Sequence, residues 1–197
     1  MLFCFVSFPN IYDLCGEITN GLAMNNTDIH IAKATSEDIM CIHDMAEVVF
    51  RHTYQEILSP EQMEFMMEWM YSPENLQKQL DDGHVYYIAF REGKECGYVS
   101  VQPDGTAEDG LQIFHLQKIY VLPSEQGHGI GRKLFDAAVS HVRNASDGRE
   151  AYIELNVNRN NPSIGFYKHL GLKILRQGDF HIGNGCYMND YIMGIDI

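Results

Sequence analysis

The stretch best equipped for chemistry runs Val121-Leu122-Pro123-Ser124-Glu125-Gln126-Gly127-His128-Gly129-Ile130-Gly131-Arg132. A strand-like segment ends there, glycines follow at alternate positions, and an amphipathic segment begins. Such a turn aims backbone N–H groups and the positive end of a helix dipole at an anion, so it suits a pyrophosphate. Two familiar nucleotide loops do not fit. A P-loop needs Gly-Lys followed by Ser or Thr, whereas Gly131 precedes Arg132-Lys133-Leu134. A dinucleotide fingerprint needs a third glycine where Leu134 stands if it starts at Gly129, or where Arg132 stands if it starts at Gly127, although Glu150 and Glu154 lie near the place of its ribose acid. A glycine-rich connection without a ligand is the alternative to a phosphate loop.

The elements that must position this loop can be read from periodicity and capping. Ile29-His30-Ile31-Ala32 alternates as a strand, and Thr35-Ser36-Glu37-Asp38 supplies a capping-box helix start followed by Ile39, Ile42, Ala46 and Val49 at helical spacing. Ser59-Pro60 and Ser72-Pro73 each place a capping serine before a proline at the first helical position, which predicts two more short helices. The cluster Met63, Phe65, Met66, Met67, Trp69, Met70 reads as core rather than as a ligand-facing wall.

Val85 to Phe90 and Cys96 to Val101 form a predicted hairpin, then a turn-rich stretch from Pro103 to Gly110 leads to a strand through Leu116 to Val121. A helix from about Gly131 to Arg143 follows, with Leu134, Phe135, Ala138, Val139 and Val142 on its inner face. Tyr152 to Val157 is the next strand, Asn161-Pro162-Ser163 opens a short helix that Gly171 ends, and two strands close the chain near Leu172–Gly178 and Tyr187–Ile195. The order β, helices, βββ, α, β, α, ββ predicts a mixed α/β sheet without internal repeats.

Composition narrows the classes. The 197 residues suit one domain of ordinary size, with 45% hydrophobic and 21% charged residues. Lys+Arg number 14 against 27 Asp+Glu, and the net charge of −13 repels phosphodiester backbones, so nucleic acid is not an expected partner. The five cysteines are scattered without C-x-x-C spacing, which indicates neither a metal site nor a disulfide framework and agrees with a reducing cytoplasm. Residues 1–28 read as an N-terminal extension and 29–197 as the domain. Met1 to Ala23 has phenylalanines but no Lys or Arg for a signal peptide, and its apolar run is too short to span a bilayer, so no membrane association is expected. Met24 is a candidate natural start.

Gln126-Gly127-His128-Gly129-Ile130-Gly131 resembles the Q/R-x-x-G-x-G/A signature of the GNAT superfamily of N-acetyltransferases, with Gln126, Gly129 and Gly131 matching. Lys118-Ile119-Tyr120-Val121 resembles the family's central strand. Asn160-Asn161-Pro162-Ser163-Ile164-Gly165-Phe166-Tyr167-Lys168-His169-Leu170-Gly171 resembles its second segment, N-x-x-A-x-x-F/L-Y-x-x-x-G-F, with serine for the alanine and Leu172 for the phenylalanine. The resemblance covers Ile29 to Ile197 and is strongest from Leu116 to Leu172.

It implies a GNAT-like mixed, mostly antiparallel sheet flanked by helices, whose central strands splay to admit the pantetheine arm of acetyl-CoA. It also implies transfer of the acetyl group to a primary amine by direct attack through a tetrahedral intermediate, without a metal. By the same resemblance Ile119, Tyr120 and Val121 offer backbone to the arm, and one of their N–H groups polarises the thioester carbonyl. Gln126, Gly127, His128, Gly129, Ile130, Gly131 and Arg132 cradle the pyrophosphate, and Asn160 bonds the arm. Tyr167 aligns with the tyrosine that protonates the departing thiolate; a thiol titrates near roughly 8.5 and a phenol near about 10, so that transfer is close to balanced.

Where the family carries a central-strand glutamate this chain has His115, and Glu154 on the next strand is the other candidate base. The acceptor is expected where the first helices meet the sheet, with His52, Tyr54 and Glu56 as contacts. A small-molecule amine is the expected partner; the Ser59-Pro60 helix start and the Gly183 to Asp190 tail resemble those of bacterial polyamine acetyltransferases, which implies a polyamine-like amine, and a homodimer is allowed. The alternatives are an acyl-CoA sensor without turnover, an acetyltransferase of a protein N-terminus or lysine, and an interaction protein with a decayed loop.

Overall fold

The structure is a computed structural model that describes residues 29–107, 110–183 and 186–197; the N-terminal extension expected at 1–28 lies outside the described residues. β1 (Ile29–Lys33) leads into a short turn in which the Thr35 hydroxyl accepts from the Glu37 N–H (3.3 Å) and Asp38 accepts from the Thr35 N–H (2.8 Å). That reciprocal cap launches α1 (Ile39–Tyr54). At α2 (Pro60–Tyr71) Ser59 and Gln62 form a second capping box, and at α3 (Pro73–Asp81) the Ser72 hydroxyl accepts from the Asn75 N–H. Proline takes the first helical position in both, where its missing N–H costs nothing.

β2 (Val85–Arg91), β3 (Lys94–Thr106) and β4 (Gln112–Val121) form an antiparallel meander, α4 (Ile130–Ala145) crosses over, and β5 (Ala151–Asn158), α5 (Ile164–His169), β6 (Lys173–Gly183) and β7 (Cys186–Asp196) complete the chain. The seven strands lie in the order β1-β2-β3-β4-β5-β7-β6, antiparallel at every step except the parallel β4–β5 pair. The predicted element order and sheet class match. β3, however, continues through Pro103 to Thr106, where the sequence reads as turns. Its pairing with β2 stops at Val101, so beyond that point β3 has a neighbour on one side only, which is where a strand tolerates proline.

Each face of the sheet carries its own core. On one, Leu134, Phe135, Ala138 and Val142 of α4 pack with Val99, Val101, Ile119, Leu155 and Met193, and Tyr167 joins them from α5. On the other, α1 to α3 contribute Ile42, Ala46, Val49, Phe50, Tyr54, Met66, Met70 and Tyr71 against Tyr86, Ile88, Tyr98, Tyr120 and Met188. The methionine cluster is core, as its spacing suggests: Met63, Met66, Met67 and Met70 are all buried.

Candidate active site

β4 stays paired with β3 to its last residue, Gly97 opposite Val121, but its parallel ladder with β5 covers only Gln112 opposite Ala151 through His115 opposite Glu154. Both strands run on, β4 to Val121 and β5 to Asn158, without pairing to each other. The backbone of residues 116–121 therefore borders a cleft on its β5 side. Opposite it, the β3 register jumps from Ser100–Lys118 to Val101–Leu116, which leaves Gln117 as an extra residue in β4. A bulge of this kind bends its strand and increases the twist. It also exchanges faces: Phe114 and Leu116 point into the α4 core, and so do Ile119 and Val121, while Tyr120 points to the α1–α3 side.

The glycine loop lies at the open end of this cleft. Gln126 donates from Nε2 to the Val121 carbonyl (3.1 Å), pinning the loop to the end of β4. Gly127 and Gly129 hold φ of +83° and +76°, a backbone that L side chains rarely adopt, and a Cβ on either would meet no protein atom within 4 Å. Gly129 is the N-cap of α4 and no side chain caps that end. Ile130 and Gly131 are buried, whereas His128 and Arg132 are exposed, Arg132 pairing with Asp136 (3.1 Å). Uncapped N–H groups, a helix N-terminus and open space in front of two glycines form a donor set that fits a pyrophosphate, and the unpaired β4 edge fits an amide-bearing arm.

Four sequence-predicted side chains gather around the cleft. Tyr167 is fully buried on α5, in a core shared with Ile119 and Val121 of β4 and Leu155 and Val157 of β5. Asn160 is exposed beyond β5, its N–H donating to Asn158 Oδ1 (3.0 Å). His115 and Glu154 are Cα partners in the last rung before the strands part, so they share the face opposite the α4 core. Their surroundings differ. Glu154 takes a two-point ion pair from Arg176 (3.1 and 2.7 Å). His115 is buried, its Nδ1 lies 3.7 Å from Asp104 Oδ2, and its Nε2 has no hydrogen-bond partner among the described residues. The neighbouring His115 imidazole in turn holds the Asp104 carboxyl below its ordinary range.

The acetyltransferase (GNAT) family profile matches residues 50–172, which contain the cleft, the loop and α5. The chain belongs to this family. An uncharacterised N-acetyltransferase of Escherichia coli K12, YjgM, is 33% identical over 92 residues, 46% of this chain and 52% of that protein, so the chain spans about half the length of this curated relative. Among solved structures, the PaiA N-acetyltransferase of Thermoplasma acidophilum in complex with coenzyme A superposes with a TM-score of 0.68 at 22% identity, covering 86% of this chain and 99% of that one. The ribosomal-protein-alanine N-acetyltransferase of Brucella melitensis gives 0.60 at 20%, covering 85% and 99%. Both show the likeness of fold, and the splayed β4–β5 pair is its GNAT-like centre.

On the α1–α3 face of this GNAT domain lies a polar set that sequence reasoning did not single out. Lys118 is fully buried, its Nζ donating to Gln79 Oε1 (2.5 Å) and to the Tyr86 hydroxyl (2.8 Å) and lying 5.5 Å from the Tyr71 ring centre. His84 is buried beside it, and burial together with the Lys118 charge pushes its pKa down to about 3. The Tyr98 and Tyr120 rings meet at a tilt (centroids 5.5 Å apart), and burial raises both phenols well above their ordinary range. Of the expected acceptor contacts, Tyr54 is buried here and its hydroxyl accepts from Asn161 Nδ2 (3.3 Å), tying α1 to the loop after β5. His52 and Glu56 are exposed at the end of α1. The signal for Lys118 was available: a bulge is betrayed when apolar residues change parity between Leu116 and Ile119.

Among the described residues no group of three or more His, Cys, Asp and Glu side chains could hold a metal ion, and no helix is long and apolar enough to cross a membrane.

Proposed function

We propose that this chain is an acetyl-CoA-dependent N-acetyltransferase whose acceptor is a primary amine of a small molecule. The observation that carries the reading is the end of β4–β5 pairing at His115 and Glu154, beside an uncapped α4 N-terminus fronted by two left-handed glycines. Acetyl-CoA, when bound, supplies an acetyl group already activated as a thioester. Gly127, Gly129, Ile130, Gly131 and Arg132 hold the phosphates, and the free edge of Ile119, Tyr120 and Val121 bonds the arm and polarises the carbonyl with an N–H.

His115 Nε2 takes the proton of the incoming ammonium, so that the nitrogen lone pair can form the C–N bond as the C–S bond breaks. Asp104 orients that imidazole through Nδ1, as a carboxylate does for a catalytic histidine elsewhere. The Tyr167 hydroxyl returns a proton to the departing sulfur. Glu154 fits the base role less well, since its ion pair with Arg176 occupies both oxygens.

The net charge of −13 supports a cationic acceptor amine. The test is thiol release from acetyl-CoA across a library of aliphatic amines, aminoglycosides, amino acids and peptides. Release driven by small amines supports the proposal. Release driven by peptides alone moves the acceptor to a protein terminus, and tight binding of acetyl-CoA without release in any well favours a sensor.

A further inference from the structure

Asp190 stands on β7 as the Cα partner of Asn158, at the end of the β5 arm of the cleft. Met188, on the same face of β7, packs in the core that also holds Tyr54, Tyr98 and Tyr120, so Asp190 points to the α1–α3 side, the side of His115. It is 0% exposed, and the Asn156 side chain and the Arg159 charge are the groups near enough to favour its ionised form. Asn156, on the same face of β5, is also buried and lies beside that carboxyl. Fold stability does not account for this arrangement: a buried carboxyl with one amide beside it is held against its desolvation, and an apolar side chain would be better for the core. Such groups are retained where they meet a ligand.

We infer that Asp190, with Asn156 beside it, receives the second, non-reacting ammonium group of a diamine or polyamine acceptor and so selects such amines. This inference rests on the acetyl-transfer reading above. An alkylammonium carries three N–H donors and one positive charge, which suits two carboxylate oxygens shielded from water. Burial pushes the Asp190 carboxyl up to about 7, against the pull of Asn156 and Arg159 and with the push of Asp179. A cation arriving beside it favours ionisation, so binding charges the carboxylate at the moment it is needed. The net charge of −13 adds a long-range attraction for the same ligands.

The experiment compares wild type with Asp190→Asn, using 1,4-diaminobutane and a free-N-terminal tripeptide as acceptors and calorimetry for acetyl-CoA. The inference predicts that the variant raises KM for the diamine at least tenfold and leaves acetyl-CoA affinity within twofold. It also predicts a melting temperature equal to or above wild type. The unfolded chain releases this proton near the ordinary 3.8 and the folded chain near about 7, so the folded state binds more protons between these values and loses stability as pH rises. The stability gain of Asp190→Asn over wild type should therefore grow from pH 5 to pH 8.

Asp190→Ser serves if the asparagine variant fails to fold. An unchanged diamine KM, or loss of stability in both variants, overturns the inference while leaving acetyl transfer standing. If wild type acetylates neither acceptor nor any amine of the library, the acetyl-transfer reading fails and takes this one with it.

Discussion

The side chains of the cleft divide by how much their neighbours announce them. Tyr167 is legible because it sits in a patterned segment, Asn160 to Gly171, whose helix and glycine stop can be read locally. Asp190 is not: it falls within the predicted closing strand near Tyr187–Ile195, but its face and burial depend on how β7 pairs with β5. Asp104 is missed for a related reason: Pro103-Asp104-Gly105 reads as a turn, yet it is β3 carrying a carboxylate to His115. At Tyr167 the test is conservative. Tyr167→Phe keeps the ring in its core and removes the proposed acid, so kcat should fall at least tenfold, within the usual ~10²–10⁴ range for a general acid, while acetyl-CoA affinity and melting temperature stay near wild type. Steady-state kinetics with the acceptor from the library checks this; wild-type turnover would remove Tyr167 from catalysis, and equal loss of binding and stability would make it a packing residue.

At the level of elements, capping and periodicity place nearly every helix and strand, because those signals are local. The serine–proline starts of α2 and α3 and the inner face of α4 are of this kind. The divergence of β4 from β5 is not local; it depends on which strands pair, and the resemblance to the family rather than the residue pattern gave the expectation. The loop that fills the mouth of that cleft offers the element's own test. A Gly129→Val side chain would project into space clear of protein, where the phosphates are proposed to lie, and would strain a left-handed residue by about 1–2 kcal/mol. Acetyl-CoA binding should weaken at least tenfold, with a lowered melting temperature but an intact cooperative transition. Calorimetric titration beside thermal unfolding separates the two effects, and unchanged affinity in the folded variant would displace the phosphates from this loop.

For the molecule as a whole, the described sheet begins at Ile29, and β1 pairs with β2 from Ile29 opposite Arg91 through Lys33 opposite Tyr87. A chain starting at Met24 should fold and bind acetyl-CoA as the full chain does; insolubility together with loss of binding would mean that the preceding phenylalanines belong to the core. Charge acts at this scale too, favouring cationic acceptors without choosing among them. The central claim is that an acetyl group leaves acetyl-CoA in the β4–β5 cleft and ends on an amine nitrogen. Mass spectrometry of the wild-type reaction, with thiol release counted in parallel, tests it most directly. The account predicts one N-acetylated amine for each free coenzyme A, with no release when amine is omitted. Bound acetyl-CoA that stays intact with every amine, or thiol released without an acetylated amine, would contradict it.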